Sequence, residues 1–286
     1  MHPVLFEFSM GSANFTVQAY TFFTVFLTGA VSLIILTILL RVNGVSRLQS
    51  LGAGLVVVLV VLVGARLSYA LVNFQQFANE PGEIFQLHAG NFNMWGGLVL
   101  GLPLIALVPQ FLKLRTWRFL DLLAPVIGMA AFASKIGCYL NGCCFGAPTS
   151  LPWGVTFPAG TRAAQHFSEH LEAGGGEIIT SLPYLHPVQL YESFAGLFVL
   201  VMAVLMLRQR LQEGTVFLLS MVFISVSRLF AVPVTTGDYL SILLYVVVAL
   251  GALFLLCWRR GAILRLRFYN KKVRKGGAVI ENINEG

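Results

Sequence analysis

The sequence predicts an all-α integral membrane protein with seven transmembrane helices and a small external head region, and three observations carry that prediction. The first is composition: of 286 residues, 57% are hydrophobic and only 11% charged, against roughly 25% charged in a typical soluble domain. So little polar surface does not cover a water-exposed core of this size. The second is length. Seven apolar stretches, at about 17–40, 49–74, 92–111, 119–140, 186–207, 215–233 and 238–258, are long enough, or nearly so, to cross roughly 30 Å of hydrocarbon as helices. The third is the placement of basic residues, which gather in alternate loops.

The first stretch is longer than the roughly 7–15 residues of a signal-peptide core, so it is expected to remain as a membrane helix. Arg41 and Arg47 follow it; Lys113, Arg115 and Arg118 lie between the third and fourth stretches; Arg208 and Arg210 follow the fifth. Beyond the seventh come Arg259, Arg260, Arg265, Arg267, Lys271, Lys272, Arg274 and Lys275, so 15 of the 19 basic residues share one side. The other side carries Glu80, Glu83, Glu169, Glu172, Glu177 and Asp238. Cationic loops are held on the cytoplasmic face, which predicts an external amino end and a basic cytoplasmic tail over 261–286 behind a membrane domain over 1–260. The runs are continuously apolar without alternation, which favours helices over a barrel, since backbone groups in lipid need internal partners.

One hydrophilic excursion, about 143–185, is expected to form the external head, with a short helix over Thr161–Ala173. The net charge of +7 does not point to nucleic acid, because the cations sit at loop ends and not on a face mixed with aromatics. Four cysteines, Cys138, Cys143, Cys144 and Cys257, read first as small apolar residues. A disulfide involving the 143/144 pair is the second reading; no paired-cysteine spacing of the zinc type occurs. No cofactor and no metal are expected.

Ionisable groups inside membrane helices are costly and usually face a bundle interior or a wet cavity. Arg66, Lys135, Glu192 and Arg228 fall inside predicted helices. Asp121 lies near a cytoplasmic boundary and reads as a cap or interfacial residue. Three cations against one carboxylate leave a positive interior, which predicts a bound anion such as the phosphate of a lipid head group; arginine pairs with phosphate bidentately. Two polar motifs flank the head. One is Lys135-Ile136-Gly137-Cys138-Tyr139-Leu140-Asn141-Gly142-Cys143-Cys144-Phe145-Gly146, whose glycines break a helix and admit close backbone approach. The other is His186-Pro187-Val188-Gln189-Leu190-Tyr191-Glu192, in which a proline opens a helix and Gln189, Glu192 and Ser193 fall near one face.

The order and wording of these two motifs resemble prolipoprotein diacylglyceryl transferase, a bacterial inner-membrane family with seven helices, a periplasmic head and an internal carboxyl end. The His186–Glu192 segment is closely similar to the family's, and the glycine-rich segment keeps Gly137, Asn141, Gly142 and Gly146. Gly96-Gly97 falls where the family has a glycine pair, and Tyr20 aligns with a functional tyrosine. The family has arginine at Lys135, asparagine at Cys138, glutamate at Cys143 and a histidine at Trp95.

The resemblance implies transfer of a diacylglyceryl group from phosphatidylglycerol, or another anionic phospholipid, to the cysteine thiol of a prelipoprotein or related acceptor. Arg228, Lys135 and Arg66 would clamp the phosphate, while Asn141, Gly142, His186, Gln189 and Tyr20 would shape and orient the head-group site. His88 and Glu192 are the candidates for a base. Two alternatives stay open from the residues themselves: a non-catalytic relative that binds lipid or a partner, and a transporter of a small anion or solute.

Overall fold

The computed structural model describes residues 4–10, 13–18, 22–79, 97, 101, 103–173, 183–209, 211–231, 242–259 and 261. It opens on an antiparallel hairpin, β1 (Val4–Met10) paired with β2 (Ala13–Gln18). The hairpin precedes an otherwise all-α fold, and it moves the start of the first helix, since Val17 and Gln18 belong to a strand. The sequence contained the signal: Val4, Phe6, Phe8 and Met10 recur at the two-residue period of a strand, and Gly11-Ser12 is a hairpin-type pair.

The helices follow as α1 (Phe22–Val42, its first six residues wound as a π-helix), α2 (Arg47–Val72), α3 (Phe74–Asn79), α4 (Val108–Phe111), α5 (Thr116–Asn141), α6 (Arg162–Ala173), α7 (Val188–Leu207), α8 (Thr215–Ala231) and α9 (Ile242–Arg259). Among the described residues, α1, α2, α5, α7 and α9 are long and apolar enough to cross a membrane, and α8 is a shorter apolar helix. Five such helices stand where seven were expected. The third expected stretch, 92–111, falls largely outside the described residues. Its described part is broken: the backbone turns at Ala106–Leu107 before α4, and Pro109 opens α4 at its first turn. Proline cannot donate the amide that would continue a helix from the preceding turn.

Lipid offers apolar helices little reward for burying each other, so packing rests on close contact through small residues and on polar links. The α5–α7 crossing follows that rule. A Cβ on Gly128 would sit 2.5 Å from the Leu200 amide nitrogen, and one on Gly196 would sit 2.6 Å from that of Phe132. Ser193 Oγ donates to Phe132 O across the same crossing, at 3.1 Å. On the other flank, Leu36, Leu40, Ala53, Val57, Phe119 and Leu122 join α1, α2 and α5 in one buried cluster.

Arginines and an aspartate tie helix ends together. Arg118 donates through Nε and Nη2 to Asn43 Oδ1, at 3.0 and 2.8 Å, and Arg259 Nη2 donates to Glu213 O at 2.7 Å while lying over Trp117. Asp121, 2% exposed, accepts from the amides of Gly214 (2.7 Å) and Phe217 (2.9 Å). It thus supplies α8 with a cap from a different helix, satisfying amides that have no partner within α8. The cap reading of Asp121 holds, and the helix it caps lies 93 residues away.

At the opposite end of α5 the chain enters the head. Gly142 closes the helix in the left-handed conformation, φ +67°, where a side chain would also collide with Thr161 Cβ at 2.6 Å. Thr161 accepts from the Ala164 amide (3.3 Å) at the start of α6, so the helix expected over Thr161–Ala173 forms as Arg162–Ala173 with Thr161 as its cap. Phe157, Ala163 and Leu185 make the small buried core of the head. The basic tail expected over 261–286 lies beyond the described residues apart from Gly261.

Candidate active site

The two motifs around the head meet in space. Gly146 N donates to His186 O (3.1 Å) and His186 N donates to Ala147 O (3.0 Å), so the segment leading into α7 is stitched to the loop leaving α5. Gln189, 0% exposed, donates from Nε2 to Cys143 O at 2.7 Å. Its Oε1 is buried with no hydrogen-bond partner among the described residues. A buried acceptor left open costs about 1–3 kcal/mol. Asn141 reaches the Cys143 thiol with its side chain.

The close α5–α7 crossing brings ionised groups together one turn beyond it. Lys135 Nζ pairs with Glu192 Oε2, and Arg228 Nη1 pairs with Glu192 Oε1. Three helices (α5, α7 and α8) therefore converge on one carboxylate whose side chain is 9% exposed, while the lysine and arginine side chains keep 20% and 28%. Two cations share one anion, so the group carries a net positive charge on its more open side. Arg228 also lies over the Tyr245 ring at 5.9 Å, which joins α9 to the site.

A cleft of about 450 Å³ is lined by Leu151, Trp153, His186, Tyr191, Ser227, Phe230 and Ala231. Its polar wall is organised: Trp153 Nε1 donates to Tyr191 Oη at 2.9 Å, and His186 Nδ1 lies 3.3 Å from the same oxygen. Two of its lining residues, Tyr191 and Ser227, are the sequence neighbours of Glu192 and Arg228.

Of the residues expected at the site, Lys135, Glu192 and Arg228 come together, and Asn141, Gly142, Gln189 and His186 build the adjoining loop junction. Arg66 is buried in α2 at 8% exposure, and its described contacts are with the rings of Tyr69 (5.9 Å) and Phe77 (5.4 Å) in α2 and α3. Tyr20 and His88 lie outside the described residues, as do Trp95 and Gly96. Gly97 is described and packs against α2, where a Cβ would meet Ala65 Cβ at 3.2 Å. Both carboxylate oxygens of Glu192 are engaged by the two cations, so its geometry is that of a counter-ion. Sequence reading missed Trp153 and Tyr191, although Tyr191 stood inside the quoted motif. It also missed that Cys138, Cys143 and Cys144, all free thiols, come together, with their Sγ atoms within 4.8 Å of one another.

The last two thiols lie outside the membrane-spanning helices and are pulled in opposite directions. Hydrogen bonds from Cys138 and then Cys143, with the charges of Lys135 and Arg228, hold the Cys144 thiol well below its ordinary range against burial. Cys138 also pulls Cys143 down, but the hydrogen bond to Cys144, burial and the Cys144 charge outweigh it and raise Cys143 above its ordinary range.

In sequence the chain is similar to proteins of known description. A phosphatidylglycerol–prolipoprotein diacylglyceryl transferase of Tropheryma whipplei (strain TW08/27) is 31% identical over 158 residues, 55% of this chain and 53% of that protein. Proteins of the same description from Nitratidesulfovibrio vulgaris (strain DSM 19637 / Miyazaki F) and Clostridium tetani (strain Massachusetts / E88) are 35% identical over 114 residues and 28% over 170 residues. These cover 40% and 58% of this chain, and 43% and 60% of those proteins. The match therefore spans about half the length of these relatives, 53% for the first of them. The profile of the family described as prolipoprotein diacylglyceryl transferase matches residues 3–258, nearly the whole chain, and the chain belongs to that family.

Proposed function

We propose that this protein transfers the diacylglyceryl group of phosphatidylglycerol to the lipobox cysteine of a prelipoprotein. The observation that carries the reading is the Lys135–Glu192–Arg228 group, in which two cations share one carboxylate. A phosphodiester head group supplies the missing negative charge. In the reaction the acceptor thiolate attacks the glycerol C3 carbon of the lipid; a carbon–sulfur bond forms, the C3–oxygen bond breaks, and glycerol phosphate leaves with the electron pair. Charge grows on the departing phosphate, and fixed cations in a water-poor site stabilise that growth. Arg228 and Lys135 carry this role, with Glu192 holding both in place.

Gln189 presents an open buried acceptor to a head-group hydroxyl, and Asn141 and Gly142 shape the loop on which it rests. The cleft past Trp153, His186 and Tyr191 receives the acceptor peptide. Arg66 and Tyr20 are further candidates for the lipid side, and His88 is the candidate base, because Glu192 is occupied. The whole chain then makes seven crossings of the bacterial inner membrane, with the head over 143–185 outside and the tail over 261–286 in the cytoplasm, opposite the thiol-bearing loop.

Complementation tests this reading. A strain depleted of its own diacylglyceryl transferase is expected to regain growth and lipidated lipoprotein when this chain is expressed. Failure to restore lipidation, with the chain verified in the membrane, would contradict it.

A further inference from the structure

The cluster of Cys138, Cys143 and Cys144 plays no part in the transfer just described. We infer that it is a three-coordinate site for a monovalent, thiophilic metal ion of the copper(I) type. Its three Sγ atoms lie within 4.8 Å of one another, and a metal bonded at about 2.3 Å to three thiolates in a plane needs sulfur separations of about 4 Å.

The backbone explains why residues spaced in this way converge. Cys138 occupies the last turn of α5, and the left-handed Gly142 reverses the chain so that the Cys143 amide donates back to Cys138 O at 3.1 Å. Cys144 adopts φ +58°, a conformation that costs a non-glycine residue about 1 kcal/mol or more. Cys138 and Cys143 are buried and Cys144 is exposed, which gives an ion one entrance and two inner ligands.

The donor set selects the ion. No histidine, aspartate or glutamate joins the three sulfurs among the described residues, so there is no fourth protein ligand of the kind that structural zinc takes. Soft thiolate donors favour copper(I). Three thiolates around a monovalent ion carry net negative charge, and Lys135 and Arg228 are near enough to act on Cys144. Gln189 Nε2 holds the Cys143 carbonyl, so an ion here fixes the loop against α7.

The test uses the full chain, reduced and purified in nanodiscs, titrated with copper(I) held by a coloured chelator. The wild type is expected to withdraw a single equivalent per chain and, once loaded, to protect Cys144 from maleimide. Cys257→Ser should behave as the wild type. Cys144→Ser, which alters only the exposed member, should weaken binding by at least the roughly 10–100-fold that loss of even an outer-shell partner costs. Loss of all copper uptake in C138S/C143S/C144S supports the site further. Equal uptake by the wild type and Cys144→Ser, or displacement of copper(I) by an equal concentration of zinc(II), would overturn the inference. Since the readout is metal and not turnover, its failure is separate from failure of the transferase reading.

Discussion

The two ends of α5 carry similar kinds of residue to opposite ends. At the amino end, charges are used up in construction: Asp121 caps α8, Arg118 holds the Asn43 turn, and Arg259 holds the Glu213 carbonyl. These bonds run to backbone or to a neutral amide, and each satisfies a group that would otherwise be stranded near a helix terminus. At the carboxyl end Lys135 and Arg228 converge on a single carboxylate, and Gln189 keeps a buried oxygen open. The lesson is that a charge within a membrane helix identifies a site only when its partners leave something over. Asp121 is nearly as buried as Gln189, yet both its oxygens accept hydrogen bonds.

That contrast is open to direct attack. The largest effect is expected at Arg228: Arg228→Ala should lower the rate of lipid transfer by about 10²–10³-fold, the loss typical of removing a donor aimed at developing charge. Arg228→Lys should recover part of it, since lysine keeps the charge without the planar fork. Radiolabel transfer assays on equal amounts of folded protein measure both. Asp121→Ala should do the reverse. It strands the Gly214 and Phe217 amides and should cost about 2 kcal/mol or more of stability, read as a lowered thermal midpoint, while the rate per folded molecule stays unchanged.

A smaller, pH-dependent effect separates the thiols. Because the Cys144 thiol is held below its ordinary range, its thiolate persists as pH falls and disappears only when pH passes the lowered value. Alkylation of Cys144 in metal-free protein should therefore change by less than about threefold between pH 8 and pH 6, where an ordinary thiol near pKa 8.5 loses most of its thiolate. Cys143, raised, should stay unreactive across the same window. Mass spectrometry of the alkylated peptides distinguishes the two. The smallest effect belongs to Arg115, whose link to Glu213 spans 3.6 Å with the arginine side chain 83% exposed. Water screens such a pair, and Arg115→Ala should shift stability by less than about 0.5 kcal/mol.

Much of the bundle was legible in the sequence because lipid imposes a coarse demand, long apolar runs with cations at alternate ends. The gathering of Lys135, Glu192 and Arg228 was legible for a related reason: an ion in such a helix needs a partner, and one carboxylate was at hand. What escaped depends on contacts between distant segments. Nothing local marks Asp121 as the cap of a helix 93 residues later, or tells that Gly128 and Gly196 let two backbones touch. The thiol cluster escaped because its ligand spacing is set by a left-handed cap at Gly142, not by a repeated cysteine pair. The hairpin over Val4–Gln18 is written in the alternation of Val4, Phe6, Phe8 and Met10. In the described part of the stretch 92–111, Pro109 stands where the helical hydrogen bonding is interrupted.

The most direct measurement is transfer itself. Purified chain in nanodiscs, supplied with phosphatidylglycerol labelled in its diacylglyceryl portion and with a lipobox peptide, should move label to the peptide thiol and release unlabelled glycerol phosphate. The Arg228→Ala protein should bind peptide but fail to transfer. Folded wild-type protein that binds phosphatidylglycerol and moves no label, or Arg228→Ala protein that transfers at the wild-type rate, would contradict the account.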